Sequence, residues 1–279
     1  MGLNLVITIA EVVGGLLSGS LALLSDALHN FSDGIAMVIS FIAIRLAGRP
    51  NSERHTFGLK RTEIFAAVIN SSALLAITIF LVIEATKRLF RPEAVHGPLM
   101  FLVASVGLAA NVAGSLLLRS GSKTSTNIKA AYLHLFTDAV SSVGVIVGGL
   151  AISLWNISWI DPLLTILIGL YIGQEVVSIL KETVHTLMEG TPAYVSIREV
   201  GEAVQRIPGV RGVHHVHLWS VGERDVHLEA HVLVDGRPQS EVDEIRSSTA
   251  RMLEERFDIG HLTLQMESGS CPDGGLIKA

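Results

Sequence analysis

Two stretches of the 279-residue chain carry the same pair of side chains at the same separation, His29-x-x-x-Asp33 and His134-x-x-x-Asp138. Residues four apart on a helix share one face, their Cβ atoms ~5–6 Å apart, so each stretch offers an imidazole and a carboxylate to a common point. Two such helices side by side supply four ligands. Two nitrogen and two oxygen donors in a tetrahedron suit zinc, with cobalt(II) and cadmium as companions, whereas magnesium and calcium prefer all-oxygen, higher-coordinate sites. Both stretches lie in long apolar runs, where an ionised side chain costs at least ~2.5–3.5 kcal/mol on insertion scales. A single such group is often satisfied by its neighbours in a bundle. A repeated spacing points to shared purpose, and metal binding offsets the cost.

The elements that must hold these groups are spanning helices, each needing about 20 mainly apolar residues. Six segments are predicted: Gly2 to Leu17, Leu21 to Leu46, Ile64 to Leu89, Pro98 to Leu118, Ala130 to Leu154 and Pro162 to Leu180. Turn chemistry separates them at Ser18-Gly19-Ser20, Gly48 to Ser52, Arg91-Pro92-Glu93, Ser120-Gly121-Ser122 and Trp155 to Ser158. The first reaches only ~24 Å against a ~30 Å hydrocarbon core, which reads as a clipped or late-starting span. It has neither the basic leader nor the cleavage site of a signal peptide.

Composition agrees: 49% of residues are apolar, 17% charged and 5% aromatic, with a mean hydropathy of +0.50, too apolar for an ordinary soluble protein. Charge is unevenly spread, because the last 90 residues hold 9 basic and 14 acidic groups while the first 189 hold 12 of each. A transmembrane domain over residues 1–189 is therefore expected to precede a soluble domain over 190–279, the boundary falling at Glu189-Gly190-Thr191-Pro192. The net charge of −5 provides no basic field for nucleic acid. Cys271, the single cysteine, excludes an intramolecular disulfide and a cysteine-based zinc cage, and suits a reducing compartment. Placing the second and fourth loops inside collects Arg45, Arg49, Arg54, Lys60, Arg61, Arg119, Lys123 and Lys129 there, against Lys87, Arg88 and Arg91 opposite. The expectation is a multi-pass protein of the inner (plasma) membrane with both termini cytoplasmic.

Other polar groups in the spans receive structural readings. Asp26 is read as a helix cap rather than a ligand. Glu11 and Glu175 line the interior, Glu84 reaches water near a helix end, and Asn70 and Asn111 bond between helices.

In the tail, helical periodicity over Val195 to Arg206 and Glu241 to Phe257, and strand alternation over Val213 to Val221, Val226 to Val234 and Leu262 to Glu267, give the order αββαβ. This is a ferredoxin-like α+β arrangement. Six of the eleven histidines fall in it. Simple alternation puts His215 and His217 on one face of the first strand with His214 on the other, and His227, Glu229 and His231 on one face of the second.

Taken together, Gly19-Ser20-Leu21-Ala22-Leu23-Leu24-Ser25-Asp26-Ala27 before His29 and Asp33, Arg49-Pro50, Thr56-Phe57-Gly58, His134 with Asp138, and His217-Leu218-Trp219 resemble the cation diffusion facilitators over nearly the whole chain. That family exports zinc and related divalent metals. The resemblance implies that His29, Asp33, His134 and Asp138 bind the transported metal within the membrane. It also implies six helices followed by a cytoplasmic ferredoxin-like domain that assembles a homodimer. Some members hold a second zinc in the loop after the second helix; at the matching places this chain keeps His55 but has Ser52 and Leu59, so that site is not expected. Arg61 matches a basic position that contacts the tail near Glu189. Tails in the family bind regulatory zinc, for which His217, His231 and His261, with Glu267 as fourth, are the first choices.

Metal binds deprotonated ligands, so zinc arriving at imidazole and carboxylate releases protons, and protons returning expel it. Histidine, with an ordinary pKa of ~6.5, titrates near cytoplasmic pH. The expected function is zinc efflux by alternating access in exchange for protons, in membrane lipid and without nucleic acid. The alternative, an integral-membrane metalloenzyme, would keep an open metal position for water. No His-Glu-x-x-His occurs, and four closing ligands favour carriage, so no enzyme is expected. A passive channel fits less well, because tight tetrahedral ligation slows release.

Overall fold

A computed structural model describes residues 2–123, 126–222, 225–269 and 275–277; Cys271 lies outside them. The helices are α1 (Gly2–Ser18), α2 (Leu21–Ala47), α3 (Thr62–Phe90), α4 (Gly97–Leu118), α5 (Thr126–Trp155) and α6 (Ile160–Leu187), followed by α7 (Ile197–Gln205), strands β1 (Val210–Ser220) and β2 (Val226–Val234), α8 (Gln239–Phe257) and β3 (His261–Ser268). Among the described residues, five helices are long and apolar enough to cross a bilayer, and Leu5–Ser18 is a shorter apolar helix. The sixth runs to Leu187, seven residues beyond the apolar stretch predicted to end at Leu180. Polar residues there continue the helix, since hydropathy marks the membrane and not the end of helical geometry. It stops where Glu189 turns left-handed (φ 60°) and Gly190 N donates to His185 O at 2.9 Å.

The chain forms two compact units, Met1–Ser40 with Ile69–Leu180, and Phe41–Val68 with Lys181–Ala279. In the first, Ala22 and Leu23 of α2, Met100 and Ala104 of α4, and Val145 and Ile152 of α5 form one buried cluster. Helices α4 and α5 approach closely because Gly97 faces Gly149. A Cβ on Gly149 would meet Phe101 N at 2.9 Å, and one on Gly97 would meet Gly149 O at 2.8 Å. Small residues at such a crossing are what membrane helices use to bring backbones together. Leu21 packs with Leu81 and Ala85 of α3, and Leu74 of α3 with Ile172 and Val176 of α6.

In the second unit the sheet order is β1-β2-β3, with β1 antiparallel to β2 and β2 parallel to β3. A parallel neighbour requires a crossover, which α8 supplies. The αββαβ order of this part is that of an α+β domain, and it follows six helices, as the patterning predicts. Ser196 caps α7 through Glu199 N at 3.4 Å, and α8 ends at Asp258 in the left-handed region (φ 55°). Val200, Val204, Val216, Leu218, Leu228, Val232, Leu253 and Ile259 build the core.

Candidate metal site

Helix α2 begins on a carboxylate from another helix. Ser20 Oγ donates to Asp161 Oδ1 at 2.5 Å, Leu21 N to Asp161 Oδ2 at 2.9 Å and Ala22 N to Asp161 Oδ1 at 3.2 Å, while Leu23 N donates to Ser20 Oγ at 3.0 Å. Asp161 and Ser20 Oγ thus take up three of the N–H donors, those of Leu21, Ala22 and Leu23, that a helix start leaves unmatched. The fully buried Asp161 meets the positive end of the helix dipole. The cap expected at Asp26 is therefore elsewhere. Asp26 lies past the first turn, where backbone N–H groups already have helical partners, and it accepts instead from Ser141 Oγ of α5 at 3.1 Å. No local sequence pattern marks Asp161, because the N–H groups it accepts from lie 140 and 139 residues away.

From this anchor α2 carries His29 and Asp33, and α5 carries His134 and Asp138. Asp33 Oδ2 lies 3.6 Å from His29 Nε2 and 3.3 Å from His134 Nε2. The two rings meet edge to face, centroids 6.1 Å apart. One ligand atom each from His29, Asp33 and His134 falls within 4.8 Å of the others. Asp138 joins through His134, its Oδ2 3.6 Å from His134 Nε2, and is not part of that three-residue group. Asp138 is buried, whereas His134 is 46% exposed on its side chain. Among the described residues, His29 Nδ1 and Asp33 Oδ2 are buried without a hydrogen-bond partner, an arrangement that costs free energy unless something else completes it.

Nearby polar groups are tied between helices. Asn30 Nδ2 donates to Glu11 Oε2 at 3.2 Å and Ser32 Oγ to Asn70 Oδ1 at 3.4 Å. Glu84 pairs with Lys87 at 3.1 Å. Asn111 Nδ2, expected to bond between helices, has no partner among the described residues.

In the α+β domain the histidines sort differently from simple alternation. His231 Nδ1 lies 2.8 Å from Glu267 Oε1, and His214 Nε2 lies 3.2 Å from Glu267 Oε2. These three, not the predicted foursome, offer ligand atoms within 4.8 Å. A β-bulge between His214 and His217, with His215 left-handed at φ 52°, shifts the face alternation and sets His214 opposite His231. His217 is exposed, packed on His215 at 4.9 Å and opposite Glu229. His261 stands six residues before Glu267 on β3, ~20 Å at strand rise, and faces His227 instead. Arg61 Nη2 meets Glu189 Oε1 at 3.1 Å, the contact that the resemblance implied. Ser52 and His55 close a turn through backbone bonds of 3.1 and 3.0 Å.

Residues 1–188 match the cation efflux transmembrane domain and residues 192–269 the cation efflux cytoplasmic domain. The chain belongs to the cation diffusion facilitator family. The zinc transporter ZitB of Pectobacterium atrosepticum is 41% identical to this facilitator over 268 residues, covering 95% of this chain and 82% of that protein. The metal cation efflux system protein CzcD of Cupriavidus metallidurans is 38% identical over 263 residues, covering 94% and 83%. A cadmium, cobalt and zinc/H(+)-K(+) antiporter of Bacillus velezensis is 35% identical over 266 residues, covering 94% and 84%. The facilitator is thus a multi-pass membrane protein of a metal-efflux family.

Proposed function

We propose that this chain exports zinc, and with it cobalt or cadmium, from the cytoplasm in exchange for protons. His29, Asp33, His134 and Asp138 hold the ion in transit. The observation that carries this reading is the single oxygen Asp33 Oδ2 set within 3.6 Å of one imidazole and 3.3 Å of the other. Ligand atoms that close, drawn from two helices, with Asp33 Oδ2 lacking a hydrogen-bond partner among the described residues, suit a cation more than each other. Asp138 enters through a rotation about its side chain, completing two nitrogens and two oxygens. Protons and metal compete for the same lone pairs, so a proton gradient drives release. The names of relatives as zinc transporters and as an antiporter support substrate and coupling.

In this reading residues 1–189 carry the ion and residues 190–279 regulate and dimerise. His214, His231 and Glu267 bind a regulatory divalent ion, and both termini face the cytoplasm of an inner (plasma) membrane. Proteoliposomes loaded with a zinc indicator, with an imposed pH gradient, test the transport claim. Uptake should follow the gradient and vanish in His134→Ala; uptake indifferent to the gradient removes the coupling, and an unaffected variant removes the site.

A further inference from the structure

Near the start of β2, four positions before His231, the motif Thr56-Phe57-Gly58 meets two histidines that the transport reading does not use. His227 and His261 are register partners across β2 and β3, and their rings stack with centroids 4.2 Å apart. Phe57 lies edge-on to both, 5.2 Å from His227 and 5.9 Å from His261. Gly58, at φ +75°, makes the turn that presents Phe57, and a Cβ there would meet Asn51 Oδ1 at 2.8 Å. Trp219 closes another side, 5.6 Å from His227. Below the rings is a cavity of about 620 Å³ lined by Asn51, Lys60, Asp225, His227, Asp258 and His261 among others.

His227 is 4% exposed, and its Nδ1 is buried without a hydrogen-bond partner among the described residues. An unpartnered ring nitrogen of this kind is a ligand atom available to a metal. Asp225, paired with Lys60, and Asp258 bring carboxylates to the same cavity. Borderline transition-metal ions prefer such mixed nitrogen and oxygen donors.

We infer that His227 and His261 form a second divalent-metal site in the α+β domain, taking Zn2+ or Co2+ with a carboxylate of Asp258 or Asp225 and covered by Phe57. It is separate from the His214, His231 and Glu267 cluster, since His231 stands four positions along β2 from His227, ~13 Å. It does not depend on the transport reading.

Trp219 makes the site observable, because Co2+ bound beside it quenches its fluorescence. In the full chain carrying Trp155→Phe and Trp159→Phe, Trp219 is the sole tryptophan. Titrated with Co2+ in detergent, it should quench saturably. His261→Gln, at an exposed position, should raise the half-saturating concentration at least threefold, while Glu267→Gln should leave it within threefold. A smaller shift in His261→Gln, or a larger one in Glu267→Gln, overturns the assignment. Should the tryptophan substitutions impair folding, equilibrium dialysis of Co2+ against the otherwise natural sequence should show one fewer bound ion per chain in His261→Gln; an unchanged count overturns the assignment.

Discussion

Asp161 Oδ2 accepts the backbone N–H of Leu21 at 2.9 Å, so a carboxylate at the start of α6 serves as the cap of α2. The same carboxylate also holds Ser20 and Ala22, which makes it an anchor for the helix bearing His29 and Asp33. Asp161→Ala strips three acceptor contacts and leaves buried donors unmatched, a loss of about 1–3 kcal/mol. Asp161→Asn keeps one good capping acceptor and should lose less. Thermal unfolding in detergent measures the order natural sequence, Asn, Ala. Equal midpoints for all three would remove the anchoring role.

Asp33 is the group both imidazoles share. Asp33→Asn keeps its size and one carbonyl oxygen but removes the charge that a divalent ion needs. The number of zinc ions bound per purified chain should fall by one at concentrations that saturate the natural sequence, with unfolding midpoints little changed. Equilibrium binding of 65Zn2+ in detergent counts the ions, and an unchanged count would contradict a metal at this place.

The repeated His-x-x-x-Asp was legible because helical spacing is local: residues four apart share a face wherever the helix goes. The spans were legible for a similar reason, as apolar length is written along the chain. What lay hidden depends on non-local geometry. Asp161 capping α2 joins residues about 140 apart, and no periodicity marks it. The bulge at His215 is a single left-handed residue, yet it exchanges His214 for His217 in the cluster with His231 and Glu267. Strand alternation assumes an uninterrupted pleat, and one extra residue reverses every inference beyond it. The pairing of His261 with His227 followed from parallel register, which composition does not encode.

Gly149 stands where a Cβ would reach the backbone N of Phe101 at 2.9 Å. Backbone cannot step aside as a side-chain tip can, so Gly149→Ala must push α5 from α4. Overpacking of this kind costs about 1–3 kcal/mol. Because α5 also carries His134 and Asp138, transport should fall along with the unfolding midpoint. Gly173, whose added Cβ would meet nothing within 4 Å, is the control: Gly173→Ala should leave both within error. A Gly149→Ala protein of unchanged stability and flux would show that the close crossing is not needed.

His227 gives the α+β domain a pH response of definite sign. Burial, then the neighbouring His261 and Lys60, lower its pKa from the ordinary 6.5, and Asp225 opposes them. Phe57 and Trp219 add no charge. Above pH 6.5 the ring is neutral both folded and unfolded, and its contribution to stability is complete. As the pH falls below 6.5 the unfolded chain takes up the proton first, so stability declines until the folded value is passed, after which it declines no further. In metal-free protein, kept so with chelator, the urea midpoint should therefore drop between pH 7.5 and 5.5. His227→Gln should lower stability at pH 7.5 yet show a shallower drop, because the contributions of the other ten histidines cancel in the comparison. Parallel pH profiles for the two proteins would mean that His227 titrates alike in the folded and unfolded chain.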